Sequence, residues 1–338
     1  MGTPEFAVET LKALVENNYN VVAVVTQPDK PVGRHGSVLQ PSAVKQYAVE
    51  HGLPVLQPEK MKDPVFVEQL RSYRANLQVV VAFRMLPEVV WAMPEYGTFN
   101  VHAALLPQYR GAAPINWAVI NGETVTGVTT FFLDHDIDTG RIIMQLPFPI
   151  PDEADVEYVY DGLMHLGADI CLQTLDRIIA ADGRPATFAQ NDSSLILRPS
   201  EQASPNVAER ILHSSFFTLH STLRPAPKIF KETCEIRWNQ PAKRVYDFVR
   251  GLSPYPGAWT TLCDAAGRET VLKIFKTTKT DRPSAGRAGQ LIADRKHLYI
   301  SCADCLLQID ELQLAGKKRM DAASFLNGMK EPYEIKEN

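Results

Sequence analysis

The chain has little cysteine, no long apolar run and no recognisable secretion signal. Its 338 residues include 5 Cys, and so small and odd a number does not make a disulfide framework and fits a reducing compartment. No apolar run approaches the roughly 20 residues that span a bilayer. The first residues lack the charged-then-apolar order of a signal peptide. The sequence therefore predicts a soluble, cytoplasmic protein with no membrane partner.

The common glycine-rich nucleotide motifs are missing as well. No G-x-G-x-x-G opens a helix after a strand, and no G-x-x-x-x-G-K-[ST] occurs, which argues against dinucleotide enzymes and P-loop NTPases. Cys302 and Cys305 have C-x-x-C spacing, but no second pair accompanies them. A structural role is therefore favoured over zinc or redox chemistry, and we expect no bound metal.

What the chain does contain is ordinary globular composition with an uneven charge distribution. It is 45% hydrophobic and 22% charged, and its length favours two domains. Residues 1–200 carry 14 Lys+Arg and 23 Asp+Glu, whereas the remaining residues carry 21 and 16, so the net charges are −9 and +5. The difference fits either a basic appendage that meets a polyanion or ordinary scatter in surface charge.

The first 184 residues alternate predicted helices with apolar strands. This order is typical of an α/β domain with a Rossmann-like, open, mostly parallel sheet and helices on both faces. The predicted helices lie near 4–17, 41–51, 63–74, 86–93, 114–121 and 153–182. The predicted strands are 20–26, 77–83 and 98–102, followed by a hairpin of 127–133 and 141–148.

The rest of the chain differs from the first 184 residues in periodicity and composition. Residues 185–224 lack periodicity and contain scattered Pro, Ser and Asn, which is typical of a linker. Residues 225–330 contain short strands and turns with a single predicted helix near 241–251. We therefore predict an α/β domain at 1–184, a linker at 185–224 and a small OB-like β-barrel domain at 225–330.

The start of the first domain departs from the usual order of elements. A doubly wound domain begins with a strand, whereas this sequence opens on a turn and its first helix. Two interpretations stay open: the sheet begins with the 20–26 strand, or the domain lacks its first strand. In the second case the neighbouring strands are left with exposed backbone groups and apolar side chains.

Two polar side chains share one face of the predicted strand 98–102. Asn100 and His102 are two residues apart, so both project from the same side, near the strand end where open α/β sheets bind ligands. Taken alone, His102 is more readily a hydrogen-bonded core histidine than a catalytic group. The next segment, Leu105 to Pro107, predicts a rigid apolar lip suited to a flat heteroaromatic ligand.

Asp138 adds a third polar group to this set. It lies in a loop with three aspartates, of which only Asp138 precedes Thr-Gly, a turn that can fix the direction of its carboxylate. The loop lacks the Gly and bidentate Glu of an EF-hand, which argues against calcium. Asn, His and Asp without a nearby Ser or Cys nucleophile indicate a site that moves protons and stabilises an oxyanion, so the substrate supplies the attacking group.

These motifs resemble those of the folate-dependent formyltransferase family. Asn-x-His at 100–102 is followed by Leu-Leu-Pro-Gln-Tyr-Arg-Gly-Ala-Ala-Pro at 105–114. Further segments are similar to the family at 2–8, 26–34, 127–130, 137–140, 226–228, 252–259 and 316–319. The resemblance covers nearly the whole chain, with residues 190–224 as the poorest match.

The resemblance implies roles for individual residues. Asn100, His102 and Asp138 match the catalytic trio of the family. The matching folate-binding residues are Ala104, Leu105, Leu106 and Pro107, with Phe83, Met85 and Leu86 beside the pterin. Arg34 matches a loop that contacts the tRNA acceptor stem, Lys228 matches a tRNA-binding position, and the barrel matches the tRNA-binding domain.

The activity implied is transfer of a formyl group from 10-formyltetrahydrofolate, a consumed co-substrate, to the α-amino group of methionyl-initiator tRNA. Asn100 and His102 are expected to stabilise the oxyanion, while Asp138 orients His102 and raises its pKa. We expect a metal-free monomer that serves translation initiation. The alternatives are an amino sugar or other small amine as acceptor, and an inactive tRNA-binding relative. Arg34 and the basic second half favour a tRNA acceptor.

Two departures from the family pattern affect these expectations. Ala104 stands where relatives have Ser, which removes one hydroxyl from the expected folate site. The Met-Gly-Thr-Pro turn at 1–4 matches a turn that follows a complete first strand in relatives, which favours the interpretation that this strand is missing.

Overall fold

The computed structural model describes residues 1–32, 38–136, 138–181, 222–284, 286–294, 296–329 and 332–336. The chain divides into two compact units that interleave along the sequence. The first unit comprises 1–111, 125–149 and 160–225, and the second comprises 112–124, 150–159 and 226–338. Most of the predicted linker, residues 185–221, lies outside the described residues. The contiguous domain limits predicted from the sequence remain a proposal.

The helices of the amino-terminal half begin and end close to their predicted limits. They are α1 (Glu5–Glu16), α2 (Ala43–Glu50), α3 (Pro64–Ser72), α4 (Glu88–Trp91), α5 (Pro114–Ile120) and α6 (Val156–Ala180). Two of them have side-chain caps: the Ser42 hydroxyl accepts from Lys45 N at 3.1 Å and the Asp63 carboxylate accepts from Val65 N at 2.9 Å. Such caps satisfy amide groups that the first turn leaves unpaired.

The strands of this half are short at its beginning and longer towards the site. They are β1 (Val24–Val25), β2 (Lys30–Val32), β3 (Val38–Gln40), β4 (Val55–Leu56), β5 (Gln78–Val81), β6 (Thr98–His102), β7 (Val125–Phe132) and β8 (Ile142–Pro149). β5 and β6 are parallel, and β6, β7 and β8 follow in antiparallel order. This confirms the predicted hairpin and the Rossmann-like α/β class.

The predicted strand 20–26 was too long. Only Val24 and Val25 form β1, which pairs in parallel with β4. A strand is defined by a neighbour that accepts and donates backbone hydrogen bonds, and apolar composition alone does not supply one. On the other side of β1, Gly2 N donates to Val25 O at 3.1 Å.

The two faces of the β5–β6 sheet pack against different helices. Val80 belongs to a buried cluster with Phe66 and Leu70 of α3 and Val90 of α4. On the other face, a Cβ added to Gly167 of α6 would lie 3.5 Å from Val101. Because alternate residues of a strand face opposite sides, Val80, Asn100 and His102 share the face opposite α6.

The second unit contains an antiparallel, nearly closed barrel, as predicted. Its sheet has the order β11-β12-β13-β10-β9-β15, with β14 paired to β13. These strands are β9 (Ala258–Cys263), β10 (Glu269–Pro283), β11 (Leu291–Ala293), β12 (Leu298–Ser301), β13 (Cys305–Leu314), β14 (Met320–Asp321) and β15 (Glu334–Ile335). Two helices accompany them, α7 (Ala242–Arg250) and α8 (Ala322–Gly328).

One buried ion pair ties α7 to its surroundings within the second unit. The Asp247 carboxylate accepts from Arg250 Nε at 2.9 Å and from Lys243 Nζ at 2.5 Å. Arg250 also donates from Nη1 to the carbonyl oxygen of Ala154 at 2.8 Å. Asp247 and Arg250 are 2% and 6% exposed, so each charge depends on the other for compensation.

We predict that Asp247→Ala lowers the free energy of unfolding by about 3–5 kcal/mol, because it leaves the Arg250 guanidinium buried without its carboxylate. Urea denaturation measures the loss. The matched control is Glu269→Ala, which removes the exposed partner of Lys336 and should cost less than about 1 kcal/mol. Equal losses in the two variants would contradict this account.

Candidate active site

His102 lies at the end of β6 and is 6% exposed. Its Nε2 atom is 3.0 Å from the carbonyl oxygen of Tyr109. Because a carbonyl only accepts, Nε2 carries the proton and donates it to Tyr109. The other ring nitrogen, Nδ1, lies 3.9 Å from Asp138 Oδ2, beyond the reach of a direct hydrogen bond. In the neutral ring, Nδ1 therefore has a lone pair on the side that faces Asp138.

The two largest effects on the pKa of His102 oppose each other. Burial lowers the pKa because the imidazolium loses its hydration, and the nearby Asp138 carboxylate raises it. Burial is the larger effect, so the pKa of His102 lies below its ordinary value. The expectation that Asp138 raises this pKa agrees with the direction of the carboxylate's effect, and desolvation outweighs that effect, so the net shift is downward.

The loop between β7 and β8 holds Asp138 in a strained conformation. Asp138 has φ of 53°, a left-handed value that is rare outside glycine, and its Oδ2 accepts from Gly111 N at 3.1 Å. Nearby, Asp134 Oδ1 accepts from Asp136 N and from the Thr139 hydroxyl, which ties the loop to itself. The sequence correctly separated Asp138 from its two neighbouring aspartates.

Gly140 is needed where this loop returns to the sheet. A Cβ atom added there would lie 1.6 Å from the carbonyl oxygen of Phe132, which no side chain allows. Gly140 therefore sets where the chain after Asp138 rejoins the sheet, and the role of the Thr-Gly turn in directing the Asp138 carboxylate stays a prediction.

Strand register places the polar residues of the site on one face. Asn100 is opposite Phe131, and His102 is opposite Thr129, which is in turn opposite Gln145. Residues directly opposite each other in a ladder project from the same side of the sheet. The prediction that Asn100 and His102 share a face is thus confirmed, with Asn100 half-buried. Thr129 and Gln145 join them.

Thr129 and Gln145 hold the turn that follows His102. The Thr129 hydroxyl donates to the carbonyl oxygen of Ala104 at 2.6 Å and accepts from Leu106 N at 3.1 Å. Gln145 Nε2 donates to the carbonyl oxygen of Leu106 at 2.8 Å and to the Thr129 hydroxyl at 3.0 Å. The sequence analysis missed both residues. Polar residues inside apolar strands were the available signal, but only the register shows what they contact.

The predicted apolar lip is mostly inside the core. Ala104, Leu105 and Leu106 are at most 5% exposed, and Pro107, joined to Leu106 by a cis bond, is exposed. Leu105 packs beneath β7, where a Cβ added to Gly127 would lie 2.6 Å from its side chain. The backbone and the proline ring of this segment are thus its accessible parts.

The predicted pterin-side residues lie in different environments. Phe83 is half-buried, with the Arg84 guanidinium 5.7 Å from its ring centre. Met85 is 73% exposed, whereas Leu86 is 7% exposed and belongs to the cluster that contains Val80. Phe83 and Ala104 follow the carboxyl ends of the neighbouring parallel strands β5 and β6, the edge where α/β sheets bind ligands.

Of the two predicted tRNA-contacting residues, Lys228 lies among the described residues and Arg34 does not. Lys228 is exposed in the second unit, with its ammonium 5.4 Å from the centre of the Phe230 ring.

Cys302 and Cys305 close a hairpin, in which Cys302 N donates to Cys305 O at 3.0 Å. Among the described residues, no cluster of three or more His, Cys, Asp or Glu could hold a metal.

Comparison with known proteins identifies the family. Residues 1–175 match the model of the formyl transferase family, and residues 228–330 match the model of the formyl transferase C-terminal domain. The chain belongs to the formyl transferase family. A relative from Parabacteroides distasonis, named methionyl-tRNA formyltransferase, is 57% identical over 335 residues, which cover 99% of this chain and 96% of the relative.

Solved structures share the fold of this formyl transferase at low sequence identity. WlaRD, a sugar 3N-formyl transferase solved in the presence of dTDP and 5-N-formyl-THF, superposes with a TM-score of 0.55 at 16% identity, covering 94% of this chain and 97% of WlaRD. HypX from Aquifex aeolicus, in complex with tetrahydrofolic acid, gives a TM-score of 0.51 at 20% identity over 82% of this chain. The match spans 43% of the HypX chain.

No helix among the described residues of this formyl transferase is both long enough and apolar enough to cross a bilayer.

We predict that Thr129→Val destabilises the protein by about 1–3 kcal/mol, because it leaves the backbone groups of Ala104 and Leu106 buried without their partner. The matched control is Thr126→Val on the same strand. Both threonines are 0% exposed, but the Thr126 hydroxyl has no hydrogen-bond partner among the described residues. The control should therefore be neutral or stabilising in urea denaturation. A loss at Thr126 as large as that at Thr129 would refute the role of the Thr129 hydroxyl.

Proposed function

We propose that this chain transfers the formyl group of 10-formyltetrahydrofolate to the α-amino group of methionyl-initiator tRNA, as a cytoplasmic monomer. The observation that carries the proposal is the 57% identity to a methionyl-tRNA formyltransferase over 99% of this chain. Both family models match, so the likeness includes the barrel as well as the catalytic half.

The residues beside the carboxyl ends of β5 and β6 fit a folate donor. A flat, partly apolar ligand needs accessible apolar surface with backbone polar groups close by. Met85 is an apolar side chain that is 73% exposed, and Phe83 and Pro107 lie on adjoining loops. The 10-formyl donor, when bound there, supplies the activated formyl carbon. Ala104 offers no hydroxyl, so the donor depends on the backbone of this turn, which Thr129 and Gln145 hold in place.

His102 is suited to move the proton during transfer. The attacking amine forms a C–N bond to the formyl carbon and must lose a proton, while the departing folate nitrogen must gain one. An α-amino group has a pKa of about 8, so roughly a tenth of it is a free amine at pH 7, which is enough for it to act as the nucleophile. The lone pair on His102 Nδ1 can accept the proton and then return it to the leaving nitrogen. Asp138 stabilises the imidazolium that forms between these events.

The proposed role of Asn100 is to stabilise the oxyanion. Its amide group lies on the same face of β6 as His102, and an amide N–H aimed at a developing negative charge is a preorganised donor. The Tyr109 carbonyl keeps the His102 ring in one orientation beside it.

The carboxyl-terminal part of the chain fits a polyanionic acceptor. Residues 201–338 have a net charge of +5, and Lys228, which lies among them, is exposed. Lys and Arg side chains that meet phosphates make binding fall steeply as salt concentration rises. An amino-sugar acceptor of low charge lacks this steep dependence, so the salt profile of the reaction separates the two acceptor classes.

His102→Ala and Asp138→Asn should each lower the single-turnover rate of formylation of charged initiator tRNA by about 10²–10³-fold, the usual cost of losing a preorganised catalytic group. The matched control is Asp136→Asn in the same loop, whose exposed side chain should leave the rate within about twofold. A near-normal rate for either variant would contradict the proposed catalytic role of the residue that it replaces. If the unaltered chain formylates an amino sugar and does not formylate the charged tRNA, the proposed tRNA acceptor is wrong.

The pH profile of the same reaction should have an acid limb below pH 6.5, because burial lowers the pKa of His102 and only the neutral ring accepts a proton. The rate should rise with pH through this limb. Asp138 raises the pKa of His102, so Asp138→Asn should move the limb to still lower pH while lowering the maximum rate. A limb that stays in place or moves upward would show that His102 does not control it.

A further inference from the structure

Arg110 lies in the turn that follows β6, and its neighbours on both sides contact His102 and Asp138. The carbonyl oxygen of Tyr109 accepts from His102 Nε2, and the two atoms are 3.0 Å apart. Gly111 N donates to Asp138 Oδ2 at 3.1 Å. Both contacts use backbone atoms of the turn, so the side chain of Arg110 takes no part in either of them. The backbone of Arg110 is thus held beside the site at both of its ends.

One donor of the Arg110 guanidinium is withdrawn from water without an acceptor. Arg110 is half-buried, and its Nε atom is buried with no hydrogen-bond partner among the described residues. A guanidinium offers N–H donors and no acceptor, so this atom can be satisfied only by an oxygen or another acceptor atom. Buried polar atoms usually have such a partner, and a charged group that lacks one is costly. The Nε atom is therefore a candidate contact for an oxygen of the substrate.

The charge of Arg110 acts on His102. Burial is the largest influence on the pKa of His102 and lowers it, while the Asp138 carboxylate raises it. The positive charge of Arg110 lowers the pKa of His102 further. Charges exert such effects at short range, because water and salt screen those that lie far apart. The guanidinium is therefore directed towards the part of the site that contains His102.

The other groups of the site offer few hydrogen bonds to a developing oxyanion. The N–H group of the neutral His102 ring is already donated to the carbonyl oxygen of Tyr109. Asn100 contributes a neutral amide on the same face of the sheet, and the negative charge of Asp138 opposes a second one. A charged donor stabilises an oxyanion more strongly than a neutral amide does. A cation close to His102 therefore meets a need of this chemistry.

We propose that Arg110 is an oxyanion-binding residue, whose guanidinium donates to the formyl oxygen while the acceptor amine adds to the formyl carbon. This inference rests on the proposed formyl transfer, but it is the same for a tRNA and for an amino-sugar acceptor. The amine nitrogen supplies the electron pair of the new C–N bond, and the π pair of the C=O bond moves onto the formyl oxygen. That pair returns as the bond to the folate nitrogen breaks, and the folate nitrogen takes the proton held by His102.

Arg110 balances the charges of the site between addition and departure. His102 is then an imidazolium that Asp138 stabilises, and the formyl oxygen is an oxyanion that Arg110 stabilises. Without Arg110 the new negative charge has no cation of its own, because the imidazolium is already matched by Asp138. Such an imbalance costs more in a partly buried site than in water, since the effective dielectric constant is lower. Arg110 thus does for the formyl oxygen what Asp138 does for the imidazolium.

The test compares the unaltered chain with two substitutions of Arg110. Arg110→Met removes the charge at similar length, and Arg110→Lys keeps the charge without the planar fork of donors. The matched control is Arg71→Met on α3, where the Arg71 side chain is 55% exposed. Single-turnover rates are measured at saturating donor over a range of acceptor concentrations. The acceptor is whichever amine the unaltered chain formylates, charged initiator tRNA or an amino sugar.

Arg110→Met should lower the maximal rate by about 10²–10³-fold, the usual cost of losing one oxyanion donor. The half-saturating acceptor concentration should change by less than about threefold, because the contact forms as the oxygen gains charge. Arg110→Lys should keep more of the rate than Arg110→Met, and Arg71→Met should stay within about twofold of the unaltered chain. A raised half-saturating concentration with an unchanged maximal rate would overturn the proposal and assign Arg110 to acceptor binding.

Two measurements on the free protein separate a substrate contact from a structural role. Arg110→Met should leave the midpoint of urea unfolding unchanged or raised, because the buried Nε atom has no hydrogen bond to lose. The same variant should raise the pKa of His102, followed by NMR of the ring protons, since it removes a cation that opposes the imidazolium. A lowered midpoint together with an unchanged pKa would overturn the proposal, because the side chain would then serve packing.

The proposed function and the role of Arg110 can fail separately. If the unaltered chain formylates only the amino sugar, the tRNA acceptor is wrong, and a rate loss in Arg110→Met with that sugar still supports the oxyanion role. A near-normal maximal rate for Arg110→Met with charged tRNA would overturn the role of Arg110 and leave the proposed function intact. An unaltered chain that formylates neither amine would contradict both.

Discussion

The backbone groups of the turn that follows the buried strand β6 need hydrogen-bond partners, and the Thr129 hydroxyl supplies two of these bonds. It bonds the carbonyl of Ala104 and the amide of Leu106 at once, and Gln145 completes the set. If these backbone groups were buried without hydrogen bonds, the loss of folding free energy would exceed what most single side-chain contacts contribute. The turn that carries the site is therefore held from β7 and β8, and the order of the hairpin strands becomes a condition for the site.

Burial gives the same region its chemistry. His102 is buried enough that its neutral form is favoured, yet Asp138 lies near enough to stabilise a transient positive charge. The Tyr109 carbonyl fixes the ring and so decides which nitrogen has the lone pair. Asp138 in turn is kept in place by Gly111 N–H and by a left-handed backbone. Proton transfer, as proposed, depends on these contacts more than on the intrinsic properties of histidine.

The two edges of β5 have different neighbours among the described residues. On one side β5 pairs in parallel with β6. On the other side Gly2 forms a parallel bridge with Val81 of β5 and donates from its N–H to Val25 O of β1 at 3.1 Å. The site itself lies towards β6, β7 and β8.

Local periodicity and strand alternation were enough to predict the class of the fold, the helix limits to within a few residues, and the grouping of Asn100 with His102. The Thr-Gly turn also distinguished Asp138 from Asp134 and Asp136 in the sequence. Three features could be recognised only from the folded chain: Thr129 and Gln145 belong to the site, Leu86 lies in the core, and burial lowers the pKa of His102. Each of these depends on which residues oppose one another across strands distant in sequence, and local patterns do not specify that register.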